Sequence, residues 1–349
     1  MIRLYLIALV SSFLVSLAVT PLSARLAVRF GAMDPIDPRK VHSVPKPRWG
    51  GIGIMTGFFF SLILLWMFVP AFHRLLNFKQ GIMQGKLILF TLDLRAQLAG
   101  ILIGTLVLFI VGLFDDRKPV PALVKLLFQI ITSYIAMLYG VRIYGLSLPG
   151  FEAFAEFPMW LVQILTIFWL VGLSNAVNLI DGLDGLAAGV VMIIAGAFLG
   201  VTLVQGGGHS ILFQQQMRLA GIISAALMGG TAGFLLYNFY PARLFMGDSG
   251  SLSVGFLVAC IAVIGAFKTT ILAVLFIPLI LVAVPVTDMA MAFGRRILNK
   301  QSPFTPDRRH FHHRLLDAGW TQREVVLLTY TLTLALSLIS VTMVGFKKP

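Results

Sequence analysis

The sequence predicts an all-α polytopic integral membrane protein with about ten transmembrane helices. Two observations carry that expectation. Of 349 residues, 58% are hydrophobic and only 12% charged, and the mean hydropathy is +0.93, a balance foreign to soluble domains of this length. The apolar runs are also continuous over the ~20 residues needed to cross a bilayer. Strands of a membrane barrel would instead alternate over segments of ~10 residues.

Taken in order, the spans run over roughly 2–22, 50–70, 96–114, 120–140, 157–177, 186–204, 218–237, 250–267, 270–290 and 325–345. The first resembles a signal peptide in its position, but its charge order is reversed. Only Arg3 precedes it, whereas Arg25, Arg29, Arg39, Lys40, Lys46 and Arg48 follow it, so it reads as a retained helix with its N-terminus outside. Ten spans then place both termini outside. On this topology the inner loops hold 16 Lys and Arg against 10 outside, in the direction of the positive-inside rule. Eleven of the 14 carboxylates fall on or near the same inner side, which points to one active face rather than a path through the bilayer. Span nine holds Pro278 and Pro285, each lacking a backbone donor, and is expected to kink or break. Met291 to Lys300 reads as a basic amphipathic turn along the membrane surface. The outer segments from Gly145 to Pro158 and from Gln205 to Gln216 read as ordinary loops. The chain is taken as a single membrane-embedded domain, 1–349.

Composition narrows the chemistry. The lone Cys260 lies in an apolar run, forbids an internal disulfide and reads as a small core residue. The net charge of +13 fits loops facing anionic headgroups or an anionic substrate. No zinc spacing, P-loop or dinucleotide fingerprint is present, and no nucleic-acid partner is expected.

Four clusters fall on the expected inner face. The joint between spans five and six reads NLIDGLDG, with Asn178 and two carboxylates, Asp181 and Asp184, at i and i+3, and no Lys or Arg. A solvated, helix-capping turn would account for one Asp. An acidic pair at the membrane edge calls for a cation, from a metal ion or a basic loop. The end of span three reads LFDDRKP, where Asp115 and Asp116 are adjacent; the plain alternative is a solvated turn neutralised by Arg117 and Lys118. Span eight opens with MGDSGS, whose Asp248 stands between glycines; the plain alternative there is a helix cap. The last cluster, PDRRHFHHRL, gathers Arg308, His310, His312 and His313. A basic interfacial loop would explain its arginines but not three histidines in four residues. Carboxylates without cysteine favour a hard cation, Mg²⁺ or else Mn²⁺. Arginine and histidine suit phosphate oxygens. At a membrane boundary, this combination fits an enzyme that joins a soluble activated phosphate compound to a lipid phosphate.

These motifs resemble one family. RKVHSVPKPRWGG (39–51), FDDRKP (114–119), NAVNLIDGLDGLAAG (175–189), FLLYNFYPARLFMGDSGSLSVG (234–255) and SPFTPDRRHFHHRLLDAGW (302–320) are similar, in order, to the polyprenyl-phosphate N-acetylhexosamine-1-phosphate transferases, the superfamily that includes the MraY-type translocases. The last run departs from the three-histidine PIHHHFE-like context of MraY, and PRWGG departs from its TPTMGG. Both resemble the WecA/TagO branch instead. That resemblance implies transfer of GlcNAc-1-phosphate from UDP-GlcNAc to undecaprenyl phosphate with release of UMP. This is the initiating step of O-antigen, common-antigen or wall teichoic acid synthesis at the bacterial inner membrane, with the active site facing the cytoplasm.

The resemblance also implies roles. Asp248 matches the family's Mg²⁺ ligand, and Asp116 would help hold the metal. Asp115 would orient, or take a proton from, the lipid phosphate. Asn178 and Asp181 match positions near the diphosphate. Asp184 and Phe245 match positions that hold uracil by hydrogen bonding and stacking. Arg308, His310, His312 and His313 match the loop that meets the diphosphate and sugar. Lys46 and Arg48 lie near a basic nucleotide contact, at a different spacing. A homodimer is implied by analogy. The expected mechanism is direct attack of the lipid phosphate, with a covalent aspartyl-phosphate route as runner-up. The alternatives are the same chemistry on another UDP-HexNAc or on UDP-MurNAc-pentapeptide and, in a different class, a nucleotide-sugar or lipid-linked-sugar transporter, which would show inverted repeats and polar groups at the midplane.

Overall fold

The fold is given by a computed structural model, which describes residues 1–35, 44–84, 87–147, 154–205, 211–265, 315 and 318–346. The protein is an all-α polytopic membrane protein. Among the described residues, eight helices are long and apolar enough to cross a membrane. In chain order the elements are α1 (Ile2–Phe30), β1 (Met33–Asp34), β2 (Lys46–Pro47), α2 (Gly50–Phe68), α3 (Pro70–Leu76), β3 (Lys79–Gln84) and β4 (Leu87–Asp93), then α4 (Leu94–Arg117) and α5 (Ala122–Leu138). They continue with β5 (Gly145–Ser147), β6 (Phe154–Glu156), α6 (Met159–Ile180), α7 (Leu186–Val204), α8 (Ile211–Asn238), α9 (Gly247–Gly265) and α10 (Gln322–Phe346). Nine of the expected spans fall on these helices; eight of the nine are long and apolar enough to cross, and the one expected at 120–140 falls on the shorter α5. The span expected at 270–290, its proline kink and the amphipathic turn after it lie outside the described residues.

Sequence reasoning passed over the small sheet pieces. The 71–95 segment contains α3 and the antiparallel pair β3–β4, with Lys79 opposite Asp93. The 145–158 segment, read as an ordinary loop, contains the antiparallel pair β5–β6. Strands of three to seven residues between apolar helices leave too little alternation to stand out in the sequence.

The helix at the centre is α9. Over its apolar stretch 94% of the residues are buried, whereas over that of α1 only 28% are. It packs against α2, α4, α6, α7 and α8. A helix shielded from lipid on all sides has no need of an outward apolar face, which is why α9 can carry glycines and serines along GDSGSLSVG and remain buried. Around it, α1 packs against α8 through a stripe of small residues. Ser12 Oγ donates to the Ala226 carbonyl at 2.7 Å and Ser16 Oγ to the Gly230 carbonyl at 2.7 Å. Such seams hold helices together in lipid, where apolar contact alone gives little preference for protein over solvent.

By contrast, α5 lies at the periphery, packed on α4 and α6. Leu123, Leu127, Phe128, Ile130, Ile131 and Tyr134 are exposed, as suits a lipid-facing side. Its buried side carries the polar Gln129, Thr132 and Ser133, followed by Ala136 and Met137.

Candidate active site

The centre of the site is the N-terminus of α9, where Gly247, Asp248 and Ser249 begin the helix. Two close approaches put it there. A Cβ at Gly112 of α4 would lie 2.3 Å from the Ser249 nitrogen, and one at Gly51 of α2 would lie 2.4 Å from the Gly250 nitrogen. Only glycine lets both helices nest this tightly against the α9 backbone.

The first free amides of α9 are capped by Asp116, from the end of α4. Its carboxylate accepts from the Asp248 N–H at 2.8 Å, the Ser249 N–H at 3.2 Å and the Ser249 hydroxyl at 2.6 Å. The helix dipole supports the same charge. Asp116 is 3% exposed and both its oxygens are engaged. The cap is therefore Asp116 rather than Asp248, which disposes of the capping alternative for Asp248.

That arrangement turns the Asp248 side chain toward α5 and α6. Asp248 Oδ2 lies 2.8 Å from Lys125 Nζ, and Oδ1 accepts from Asn178 Nδ2 at 3.1 Å. Asn178 also donates to Ser251 Oγ at 2.8 Å. Lys125 Nζ lies in addition 3.2 Å from Asp115 Oδ1, which accepts the Val120 N–H at 2.8 Å and so closes the turn after α4. Asp115 is 7% exposed, while Arg117 and Lys118, its sequence neighbours, are exposed. The solvated-turn alternative for the aspartate pair fails on both counts.

A second cluster lies on the other side of the NLIDGLDG turn. The backbone at 47–51 runs beside 245–246: Phe245 N–H donates to the Pro47 carbonyl at 2.8 Å and Gly51 N–H to the Met246 carbonyl at 2.9 Å. This brings Lys46 Nζ to 5.1 Å from the centre of the Phe245 ring and to 3.3 Å from Asp184 Oδ2. Asp184 also accepts the Ala242 N–H at 2.8 Å. The neighbouring Arg48 pairs with Asp34, its Nε lying 3.2 Å from Asp34 Oδ1, while its charge also acts on Asp116 and Asp181.

Two further side chains hold this end in shape. Asn238 Oδ1 accepts the Gly185 N–H at 3.1 Å while its Nδ2 donates to the Leu244 carbonyl at 2.9 Å, so one buried amide joins the Asp184 turn to the Phe245 loop. Tyr330 of α10 donates to the Gly185 carbonyl at 2.5 Å. Gly185 itself has φ +79, a backbone that favours glycine.

Asp181 lies between the two clusters. Among the described residues no hydrogen bond or ion pair reaches its carboxylate. Burial, followed by the negative charges of Asp248 and Asp116, pushes its pKa well above the ordinary carboxylate range. Among the described residues, no three carboxylates, thiols or imidazoles are grouped closely enough to hold a metal ion by themselves.

Of the residues expected from sequence, Asn178, Asp115, Asp116 and Asp248 therefore come together at one end of the site and Lys46, Asp184 and Phe245 at the other, with Asp181 between them. Arg308, His310, His312 and His313 lie outside the described residues. Sequence reasoning missed Lys125, Asn238 and Tyr330. Lys125 was findable, since a lone ammonium in an apolar run is a functional candidate by default, and Gln129, Thr132 and Ser133 continue its face at helical spacing.

Comparison with known proteins agrees with this architecture. Residues 98–266 match the model of glycosyl transferase family 4. The chain is 33% identical over 343 residues to a probable undecaprenyl-phosphate N-acetylglucosaminyl 1-phosphate transferase of Bacillus subtilis, covering 98% of this chain and 86% of the relative. It is 34% identical over 325 residues to the decaprenyl-phosphate N-acetylglucosaminephosphotransferase of Mycobacterium leprae, covering 89% and 76%. A phospho-N-acetylmuramoyl-pentapeptide-transferase of Listeria monocytogenes is 37% identical, over 191 residues covering 54% and 53%. The chain belongs to glycosyl transferase family 4 and is a multi-pass membrane transferase.

Proposed function

We propose that this family 4 transferase moves N-acetylglucosamine-1-phosphate from UDP-GlcNAc to undecaprenyl phosphate, releasing UMP and forming undecaprenyl-diphospho-GlcNAc. The observation that carries the reading is the two-ended site. One end offers an aromatic ring, an ammonium and a carboxylate (Phe245, Lys46 and Asp184), which suits a nucleobase. The other gathers Asp115, Lys125, Asp248 and Asn178 at a helix N-terminus, which suits phosphates. Asp181 lies between them, where a diphosphate would join base to sugar. The donor is assigned from the relatives' names, since relatives that match most of the chain are named as N-acetylglucosamine-phosphate transferases.

The donor set fits a hard divalent cation. Asp248 and Asp181 offer carboxylate oxygens, and among the described residues no group pairs with the Asp181 carboxylate. Asp248 and Asp181 would hold Mg²⁺, with substrate phosphates completing the shell. Bound there, the ion would neutralise the diphosphate and the departing UMP. Asp116 is assigned a different part from the one the family resemblance implied. With both oxygens committed to the α9 amides, it positions Asp248 rather than binding metal.

In the step itself, an oxygen of the lipid phosphate bonds to the β-phosphorus of the donor. The bond from that phosphorus to the oxygen bridging to the α-phosphate breaks, and its electron pair leaves on UMP. A phosphate monoester with a second pKa near ~6 is already largely dianionic at neutral pH. It needs orientation and charge neutralisation more than a base, and Asp115 and Lys125 supply these. The engaged oxygens of Asp116 favour direct attack over an aspartyl-phosphate intermediate on that residue. We place the site on the cytoplasmic face of the bacterial inner membrane, because four loops read as cytoplasmic from their charge converge on it.

The test is an assay in detergent micelles with radiolabelled UDP-GlcNAc and undecaprenyl phosphate, with and without Mg²⁺, beside Asp248→Asn. Metal-dependent lipid-linked GlcNAc-phosphate, lost in the variant, is the expected result. Turnover only with another UDP-HexNAc would keep the chemistry and overturn the donor.

A further inference from the structure

The Asp248 carboxylate has two partners of different kinds. Oδ1 receives a neutral amide, Asn178 Nδ2 at 3.1 Å, and Oδ2 receives a cation, Lys125 Nζ at 2.8 Å. The same ammonium lies 3.2 Å from Asp115 Oδ1, so it occupies the point on which two carboxylates from different helices converge. A metal ion bound by Asp248 would meet that ammonium at the same carboxylate.

The lysine is presented there by a built arrangement. One turn further along α5, Gln129 exchanges two amide hydrogen bonds with Asn175, at 2.8 and 3.2 Å. Asn175 lies three residues before Asn178, on the same helix. One interhelical pair thus fixes both α5 and the stretch of α6 that reaches Asp248. The Lys125 side chain is only a quarter exposed, so water screens it weakly.

We infer that Lys125 holds the place of the divalent cation in the free enzyme: the ammonium and the ion compete for the Asp248 carboxylate, and entry of the ion releases Lys125 from it. The inference rests on the metal reading above. Its physical basis is charge. An ammonium about 3 Å from a carboxylate oxygen and a divalent ion about 2.1 Å from the same carboxylate repel each other. While no ion is bound, the ammonium relieves the repulsion between Asp115 and Asp248, which would otherwise force the pair apart or protonate one of them. A purely structural ion pair predicts the opposite response to its removal, a loosened Asp248 and weaker metal binding.

The experiment titrates the purified full-length protein, in nonionic detergent, with Mn²⁺ and follows free Mn²⁺ by electron paramagnetic resonance. Wild type is compared with Lys125→Met, Lys125→Arg and Asp248→Asn. Lys125→Met is expected to bind Mn²⁺ about tenfold more tightly, Lys125→Arg close to wild type, and Asp248→Asn far more weakly. A second measurement needs no variant. The wild-type protein is labelled with an amine-reactive acylating reagent, and modification of Lys125 is read against the exposed Lys118 by peptide mass spectrometry. Mg²⁺ is expected to speed labelling of Lys125 several-fold relative to Lys118. Unchanged or weaker binding by Lys125→Met, or unchanged or slower labelling, overturns the inference. If Asp248→Asn binds Mn²⁺ as wild type does, the metal reading fails and takes this one with it. If Asp248→Asn loses binding and Lys125→Met is unchanged, only this inference fails.

Discussion

The two ends of the site treat their carboxylates differently. At the end lined by Phe245, Asp184 is neutralised within the chain, by Lys46 at 3.3 Å and the Ala242 N–H at 2.8 Å. At the end built on the α9 N-terminus one lysine serves both Asp115 and Asp248, and Asp181 beside that end is left without a partner among the described residues. The first end is preorganised and balanced; a neutral base can enter without any new cation. The second carries negative charge that the described residues match only in part. Charge of that kind is costly to bury and remains in folded proteins where a ligand completes it. Two aspartates three residues apart on one turn thus have opposite characters, set by what packs against them.

The largest break in this comparison is Asp248→Asn. It removes the charge at the mouth of α9 while keeping an amide that can still face Asn178. A drop in kcat/KM of roughly 10³-fold is expected, the size seen when a group aimed at transition-state charge is removed. Wild-type fluorescence-detected elution would show that the fold survives. A loss below ~10-fold would contradict the assignment of this end to phosphate chemistry.

Asp181→Asn sharpens the comparison, because activity and stability should move in opposite directions. Transfer falls by ~100-fold, while the thermal midpoint rises, with a gain of about 1 kcal/mol. The sign follows from burial. The folded chain holds the Asp181 proton more tightly than the unfolded chain does. The wild-type fold is therefore favoured at low pH and loses that advantage as pH climbs from the unfolded value of ~3.9 toward the raised folded one. The stabilisation by Asn should vanish near pH 4 and grow above it. A wild type more stable than the variant at pH 7 would mean that Asp181 has a partner after all. Asp184→Asn, on the same turn, should destabilise instead, since it weakens an existing ion pair.

At the balanced end, Phe245→Ala should act on binding. Stacking of a base on an aromatic ring contributes ~1–3 kcal/mol, so KM for the nucleotide sugar should rise by about tenfold or more with kcat little changed. A fall in kcat at constant KM would place Phe245 in the chemistry rather than in recognition of the base.

Much of this architecture was legible in the sequence. The length of each apolar run marked nine of the helices, because crossing a bilayer fixes a helix's length more tightly than packing does in water. NLIDGLDG and MGDSGS stood out because charge in such a chain is rare. The sequence did not show which aspartate caps α9. Asp116 and Asp248 are 132 residues apart, and a capping bond across helices leaves no local signature. The same holds for Asn238 and Tyr330, which look like ordinary residues in apolar helices. Their value lies in reaching the Gly185 backbone from two separate helices. Local pattern identifies the charged residues, while pairing between them depends on packing.

That difference between sequence neighbours and spatial neighbours sets the smallest expected effect. Arg117 and Lys118 adjoin the aspartate pair in the chain and are the obvious counter-ions on paper. Both are exposed, and the carboxylates turn inward, to Lys125, Val120 and the α9 amides. An exposed charge beside a buried one is screened by water and adds well under 1 kcal/mol. The double change Arg117→Ala with Lys118→Ala should therefore leave transfer within about twofold of wild type, and raising the salt should not widen the gap. Lys125→Met, by contrast, takes the matching charge from both Asp115 and Asp248 and should depress transfer by ~100-fold. If the double variant fell as far as Lys125→Met, charge on the loop would be steering the phosphates from outside. The enclosed end of the site would then be larger than the residues that line it in the folded chain.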